Sequence, residues 1–194
     1  MSTKMRKVYN IGINDVSGIY GNDGKVLQSY RHWHEMLRRC YSKKYQAKNK
    51  TYADCYVCDE WHYFSNFKEW FDLNYITDYH LDKDIIKKGN KCYCPEYCCF
   101  VPHEINNIFT KVDRNRGNLP IGVTQYKGDN FFVAKIRKYG KEIYLGTFSD
   151  VQSAFMEYKK HKEAYIHEIA EIYKPTISRK AYNALINYQV DIND

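Results

Sequence analysis

Residues 121–173 read IGVTQYKGDNFFVAKIRKYGKEIYLGTFSDVQSAFMEYKKHKEAYIHEIAEIY, and the change of period inside this stretch decides the fold class. Up to Phe148 the apolar positions repeat every second residue, the spacing of a half-buried strand; beyond it they repeat at helical spacing. Three strands are predicted, Ile121 to Tyr126, Asn130 to Arg137 and Glu142 to Phe148. Lys127-Gly128-Asp129 and Lys138-Tyr139-Gly140-Lys141 supply the turns. A helix follows. Ser149 with Gln152 reads as its capping box, Val151, Ala154, Phe155, Tyr158, Tyr165, Ile166 and Ile169 form its apolar side, and it ends before Pro175. Alternation turns Phe132, Ala134 and Ile136 toward that helix and leaves Lys135 and Arg137 on the opposite face, with Thr124, Tyr126, Glu142 and Tyr144 from the neighbouring strands. Residues 121–148 carry five basic side chains against two acidic ones. A ribbon of three strands with that charge fits the DNA major groove, where arginine reads guanine through two hydrogen bonds. A merely solvated face would have the same composition.

Working outward, residues 111–120 (KVDRNRGNLP) lack any apolar period and mark a domain boundary. Before it, Trp33, Met36, Leu37 and Cys40 predict an amphipathic helix over 31–41, with Arg31, Glu35, Arg38 and Arg39 on its polar side. Phe64, Phe67, Trp70 and Phe71 predict a second helix over 65–73, and the lysine-rich 43–49 between them reads as a loop. Residues 80–86 look extended, Lys87-Lys88-Gly89-Asn90 supplies a turn, and Cys92 to Cys94 returns as the second strand of a hairpin. Pro102 then opens a short helix to Phe109. The expected division is a turn-rich lead-in over 1–30, an α+β domain over 31–110, a sheet-plus-helix domain over 111–175, and a helical tail over 176–194 capped by Ser178.

Composition bounds the partners. Among 194 residues the net charge is +7, which favours polyanions because each cation set beside a phosphate releases condensed counterions. Twenty tyrosines are too many for a disordered chain and suit both small cores and base stacking. The basic start, Met1 to Asn10, lacks the apolar core of a signal peptide, and no apolar run approaches the roughly 20 residues of a membrane span. A cytoplasmic location without a membrane partner is expected. Seven cysteines argue against a closed disulfide framework. Cys55 and Cys58, with Cys92, Cys94, Cys98 and Cys99, have some of the spacing of a zinc site; the irregular second cluster reads instead as thiols, so zinc is not expected.

Chemistry concentrates in the predicted hairpin. His80, Asp82 and Asp84 alternate, so on a strand they would share one face. Two carboxylates there would hold Mg²⁺, and His80 would accept a proton from water. His103, Asn106 and Asn107 lie at helical spacing and would complete the metal shell. The plainer reading pairs both aspartates with neighbouring lysines.

Two resemblances sharpen these expectations. IGVTQY, FFVAKIR, IYLGTF and SDVQSAFMEYKKHKEAY, about residues 120–168, resemble the Apetala type of DNA-binding domain in the Gly-Val start, the Ala-x-Ile-Arg strand and the Leu-Gly-Thr-Phe strand. The resemblance implies that the exposed sheet face reads double-stranded DNA, with Lys135, Arg137, Glu142 and Tyr144 in contact positions. Several arginines and tryptophans of the plant members are absent. HWHEMLRRCY, VCDEWHYFSNFKEW and LDKDIIKKGNKCYCPEYCCFVPHEINN, about residues 30–110, resemble phage HNH-type homing endonuclease-like proteins. That implies a ββα domain in a bacterial or phage-infected cell, hydrolysing DNA with a divalent metal. Two positions depart from the pattern: Lys83 stands where the catalytic histidine is expected, and Tyr97 at the central asparagine. The alternative is a catalytically inactive DNA-binding or anti-defence protein that blocks DNA or a host nucleic-acid enzyme.

Overall fold

Helical spacing of large apolar side chains organises the first half of the chain. The computed structural model describes residues 7–109, 119–125 and 130–194, and the chain divides into two compact units, Met1–His103 and Glu104–Asp194. In the first, α1 (Gln28–Tyr41) buries Trp33, Met36, Leu37 and Cys40. They pack with Trp61 and with Phe64, Phe67 and Phe71 of the helix Phe64–Asn74, and the Trp33 indole N–H donates to the Trp61 carbonyl at 2.8 Å. Apolar area on this scale, at ~25 cal/mol per Å², is the main term holding the unit together.

The 43–49 segment, expected as a loop, forms α2 (Lys43–Lys48), capped by the Ser42 hydroxyl. The reason is Gln46, whose amide donates to the carbonyls of Cys40 (2.5 Å) and Tyr52 (3.1 Å) and so ties the turn to the end of α1. The lead-in is also more than turns. Ile13 N–H donates to the His62 carbonyl, Phe64 N–H donates to that of Ile13, and Val8, Ile11 and Val16 pack on the core. Asp15 caps the helix Phe64–Asn74 from fifty residues away, accepting from the Ser65 amide (2.9 Å) and hydroxyl (2.5 Å). A side chain at Gly12 would meet the Trp33 ring at 2.9 Å and collide with Leu37, so only glycine lets the lead-in lie this close.

The strands of this unit pair differently from the expected hairpin. β1 (Tyr56–Val57) precedes α3, the Phe64–Asn74 helix; β2 (His80–Asp82), β3 (Cys92–Tyr93) and β4 (Cys99–Val101) follow. β2 runs antiparallel to β4, with His80 opposite Val101 and Asp82 opposite Cys99, while β3 lies parallel to β1. β2 stops at Asp82 because that carboxylate accepts the amides of Asp84 (2.7 Å) and Ile85 (2.8 Å), an Asx turn that takes both donors out of any ladder. The wholly buried Cys99–Val101 then supplies the partner that Cys92–Cys94 was expected to provide.

α4 (His103–Ile108) starts at the boundary between the units. In the second unit Tyr173 donates to the Glu104 carboxylate (2.7 Å), and Lys162, its pKa pulled down to about 8 by burial, donates to the Ile108 carbonyl (2.8 Å). β5 (Val123–Thr124), β6 (Phe132–Lys138) and β7 (Lys141–Phe148) form an antiparallel sheet in that order, packed on α5 (Val151–Tyr173). Asp150 rather than Ser149 caps α5, accepting the Ser153 amide at 2.8 Å. The helix ends at Tyr173, ahead of Pro175, and α6 (Arg179–Ile186) is capped by Ser178 as expected. Gly122, at φ +78°, brings β5 against Tyr158 where any Cβ would strike the ring. The fold is thus mixed α and β, with one three-stranded antiparallel sheet and six α-helices among the described residues.

Candidate functional site

A bulge sets which side chains share the outer face of the second unit's sheet. Ala134 faces Gly146, but Lys135 faces Tyr144, so Leu145 is the extra residue in β7. Without it Leu145 and Ile143 would take the outer positions beside Lys135 and Arg137 in place of Tyr144 and Glu142. With it, Thr124, Val133 and Thr147 form one cross-strand row, Lys135 and Tyr144 a second, and Arg137 and Glu142 a third, all on one side. Val123, Ala134 and Ile136 are buried on the other side, against α5. Thr124, Lys135, Arg137, Glu142 and Tyr144 therefore come together as the alternation implied; Tyr126 lies outside the described residues.

These side chains are not equally committed. Lys135 donates to Glu142 at 3.0 Å, and Tyr144 shares a 2.7 Å hydrogen bond with Thr147 while remaining 61% exposed. Arg137 stands opposite Glu142, is exposed, and has no ion-pair partner among the described residues. The face thus offers one open guanidinium, one lysine in a solvent-screened pair worth at most ~1 kcal/mol, and an aromatic ring available for stacking. Lys138 lies over the Tyr165 ring and is turned toward α5.

In the first unit, the β2–β4 ladder places His80 beside the chain that turns into His103, and the two rings lie 5.0 Å apart, centre to centre. Partial burial, then His103, then Arg39 push the His80 pKa down, so its imidazole is neutral and able to accept a proton at neutral pH. Asp82 is one strand position away on the same face, its Oδ1 already holding two amides, and burial raises its carboxyl pKa in spite of them. Asp84 does not join them. It lies beyond the strand, and both of its oxygens accept from Lys83 Nζ at 2.7 Å. Burial works against the Lys83 ammonium, but the bonds to Asp84 outweigh it and raise its pKa. Lys83 is a fixed cation, which removes it as a base. Asn106 and Asn107 lie on α4 in the second unit.

Of the residues expected to hold Mg²⁺, Asp84 is committed to Lys83. Mg²⁺ requires oxygen ligands in near-octahedral array. Asp84 is bound to lysine and one Asp82 oxygen to backbone, which leaves, of the expected set in this unit, the second Asp82 oxygen and the imidazoles of His80 and His103. Among the described residues no group of three or more histidine, cysteine or acidic side chains is arranged to hold a metal.

Two residues were misjudged from sequence. Asn90, read only as a turn residue, is buried and fastens the loop between β2 and β3: its amide donates to the carbonyls of Lys83 (2.8 Å) and Cys92 (2.7 Å), and its oxygen accepts the Cys92 N–H (3.2 Å). Its signal was the polar residue at the end of a lysine-glycine turn. Arg39, assigned to the polar face of α1, is largely buried; despite that burial, Tyr93 and Tyr52 beside it raise its pKa, so it stays a cation whose charge reaches His80. Nothing in a helical wheel separates it from the solvated Arg31. All seven cysteines are free thiols. No protein-family model, no curated protein and no solved structure matches this chain.

Proposed function

We propose that this chain binds double-stranded DNA through the outer face of β5–β7, as a protein of the HNH homing-endonuclease type. The observation that carries the reading is the row structure of that face: a bulge at Leu145 keeps Thr124, Lys135, Arg137, Glu142 and Tyr144 on one side of a sheet whose other side is buried on α5. An exposed guanidinium with no partner among the described residues is the group that gains most from a guanine edge or a phosphate, since it gives up no existing bond. The HNH-like assignment of the first unit rests on its resemblance and on the antiparallel β2–β4 pair around a loop tied down by Asn90.

Cleavage is a second reading, favoured by the neutral His80 beside His103 and disfavoured by the commitment of Asp84 to Lys83. A binding protein that blocks DNA or a host nucleic-acid enzyme, in the cytoplasm of a bacterial or phage-infected cell, needs no such set. A mobility-shift assay on duplex DNA separates DNA binding from its absence: Arg137→Ala and Lys135→Ala should each weaken the shift, and unchanged affinity in the double variant would remove the sheet face from the proposal. Incubation of supercoiled plasmid with Mg²⁺ or with EDTA decides the rest. Nicking in Mg²⁺ that disappears in His80→Ala would establish hydrolysis, and intact plasmid alongside a strong shift would leave binding as the activity.

A further inference from the structure

β1 and β3 are the only parallel pair among the described strands, and their register aligns two cysteines. Tyr56 faces Cys92 and Val57 faces Tyr93. The ladder then runs one residue further, because the Cys58 amide donates to the Tyr93 carbonyl at 3.0 Å, the bond that in a parallel pair sets Cys58 opposite Cys94. Cys94 is the bend that follows β3, and Pro95 disfavours the helical region there. Side chains at opposed positions leave a sheet on the same side. Val57 and Tyr93 take the buried side, and Cys58, Cys92 and Cys94 take the other, where all three are half-buried. Neighbouring strands lie about 4.8 Å apart, inside the Cα separation of roughly 4.4–6.8 Å that a disulfide spans without moving the backbone.

We infer that Cys58 and Cys94 form a reversible disulfide site, open to small disulfides such as oxidised glutathione. The Cys94 thiolate attacks one glutathione sulfur, breaking that S–S bond and releasing a glutathione thiolate that takes up a proton. The Cys58 thiolate then attacks the Cys94 sulfur of the mixed disulfide and releases the second glutathione. Two protein thiols are oxidised and one glutathione disulfide is reduced, with no other oxidant. Cys92, two residues from Cys94 on the same side and in thiol contact with it, is the competing partner that the test must exclude. Burial raises the pKa of Cys58, and that of Cys92 to about 11, so formation is faster in mild alkali. The bond would join β1 to the stretch of chain that runs from the Asn90-fastened loop to β4.

The test is to hold the folded full-length chain with oxidised glutathione at pH 8 and map its peptides by mass spectrometry. A peptide joining Cys58 to Cys94 is the expected product. It should be absent in Cys58→Ser, retained in Cys92→Ser and Cys98→Ser, and reversed by dithiothreitol. The unfolding midpoint of the oxidised parent should rise by roughly 5 °C or more, with no such rise in Cys58→Ser. A Cys92–Cys94 link, a stable glutathione adduct on Cys94, or stoichiometric zinc on these thiols would each overturn the inference. So would an unreacted folded chain under conditions that oxidise the same chain in urea.

Discussion

The sheet face of the second unit and the histidine region of the first were both expected to carry function, and they are built by different rules. On β6 and β7 strand alternation needs only neighbouring residues and one short turn, and a single bulge preserves it across the sheet. Around His80 every important partner comes from a distant part of the chain: Val101 across the ladder, His103 beyond it, Arg39 from α1. The sheet face leaves the Arg137 guanidinium and the Tyr144 ring exposed to a ligand, whereas around His80 the polar side chains are used internally: Asp82, Asp84 and Asn90 are each tied to residues within seven positions of them.

The largest effect that would sharpen this contrast is at the clamp. Asn90→Ala removes a buried side chain that serves two carbonyls and one amide and should cost roughly 3 kcal/mol in chemical denaturation. Duplex affinity at temperatures where the variant is folded should change by less than about twofold, since sites without shared partners are nearly additive. A large loss of affinity in folded Asn90→Ala would break the division of labour.

Arg137→Ala is the converse case. With an exposed side chain and no ion-pair partner among the described residues, it should shift stability by less than about 0.5 kcal/mol while weakening DNA binding by about 1–3 kcal/mol, or roughly fivefold to 150-fold. Calorimetry and a binding isotherm on the same preparation check both halves, and a marked drop in Tm would assign Arg137 to the packing of the unit.

The pH response should come from the first unit. His32 and His80 both have pKa values lowered first by burial, so the folded state prefers them neutral. Their contribution to stability is present above the unfolded value of 6.5 and is lost as pH falls through the lower folded values. Unfolding midpoints measured from pH 7.5 to pH 5 should fall, and His32→Gln should flatten the curve. A midpoint that rises on acidification would reverse the assigned direction.

The smallest expected effect is at Glu142. Glu142→Gln breaks the ion pair with Lys135 and removes an anion from the DNA-facing row, so affinity should tighten by a fewfold, in keeping with ~0.5–1 kcal/mol for an exposed pair. Weaker binding would mean that the carboxylate itself reads a base, as a partner for a cytosine amino group.

How much of this could be read in the sequence follows from the same contrast. The sheet order, the helix behind it, the caps before α6 and most of the outer face were legible because each depends on residues within a few positions of one another. The bulge at Leu145 was not, although it decides that Glu142 and Tyr144 sit with Arg137 and Lys135. In the first unit the apolar stripe of α1 and the Phe64–Phe71 stripe were legible for the same local reason. The pairing of β2 was not, because Asp82 can continue a strand or close an Asx turn, and the choice is made by Cys99–Val101 arriving from beyond the loop. The cap of α5 likewise went to Asp150, where Ser149 was expected, and that of α3 to Asp15, fifty residues away.

The most direct measurement is the affinity of the full chain for a labelled duplex across a salt series, by fluorescence anisotropy, for the parent and for the Lys135→Ala, Arg137→Ala double variant. If the outer face of β5–β7 binds DNA, log affinity of the parent falls linearly with log salt, and the double variant binds more weakly with a slope shallower by up to about two. A parent that does not bind at low salt, or a double variant with the parent's affinity and slope, would contradict it.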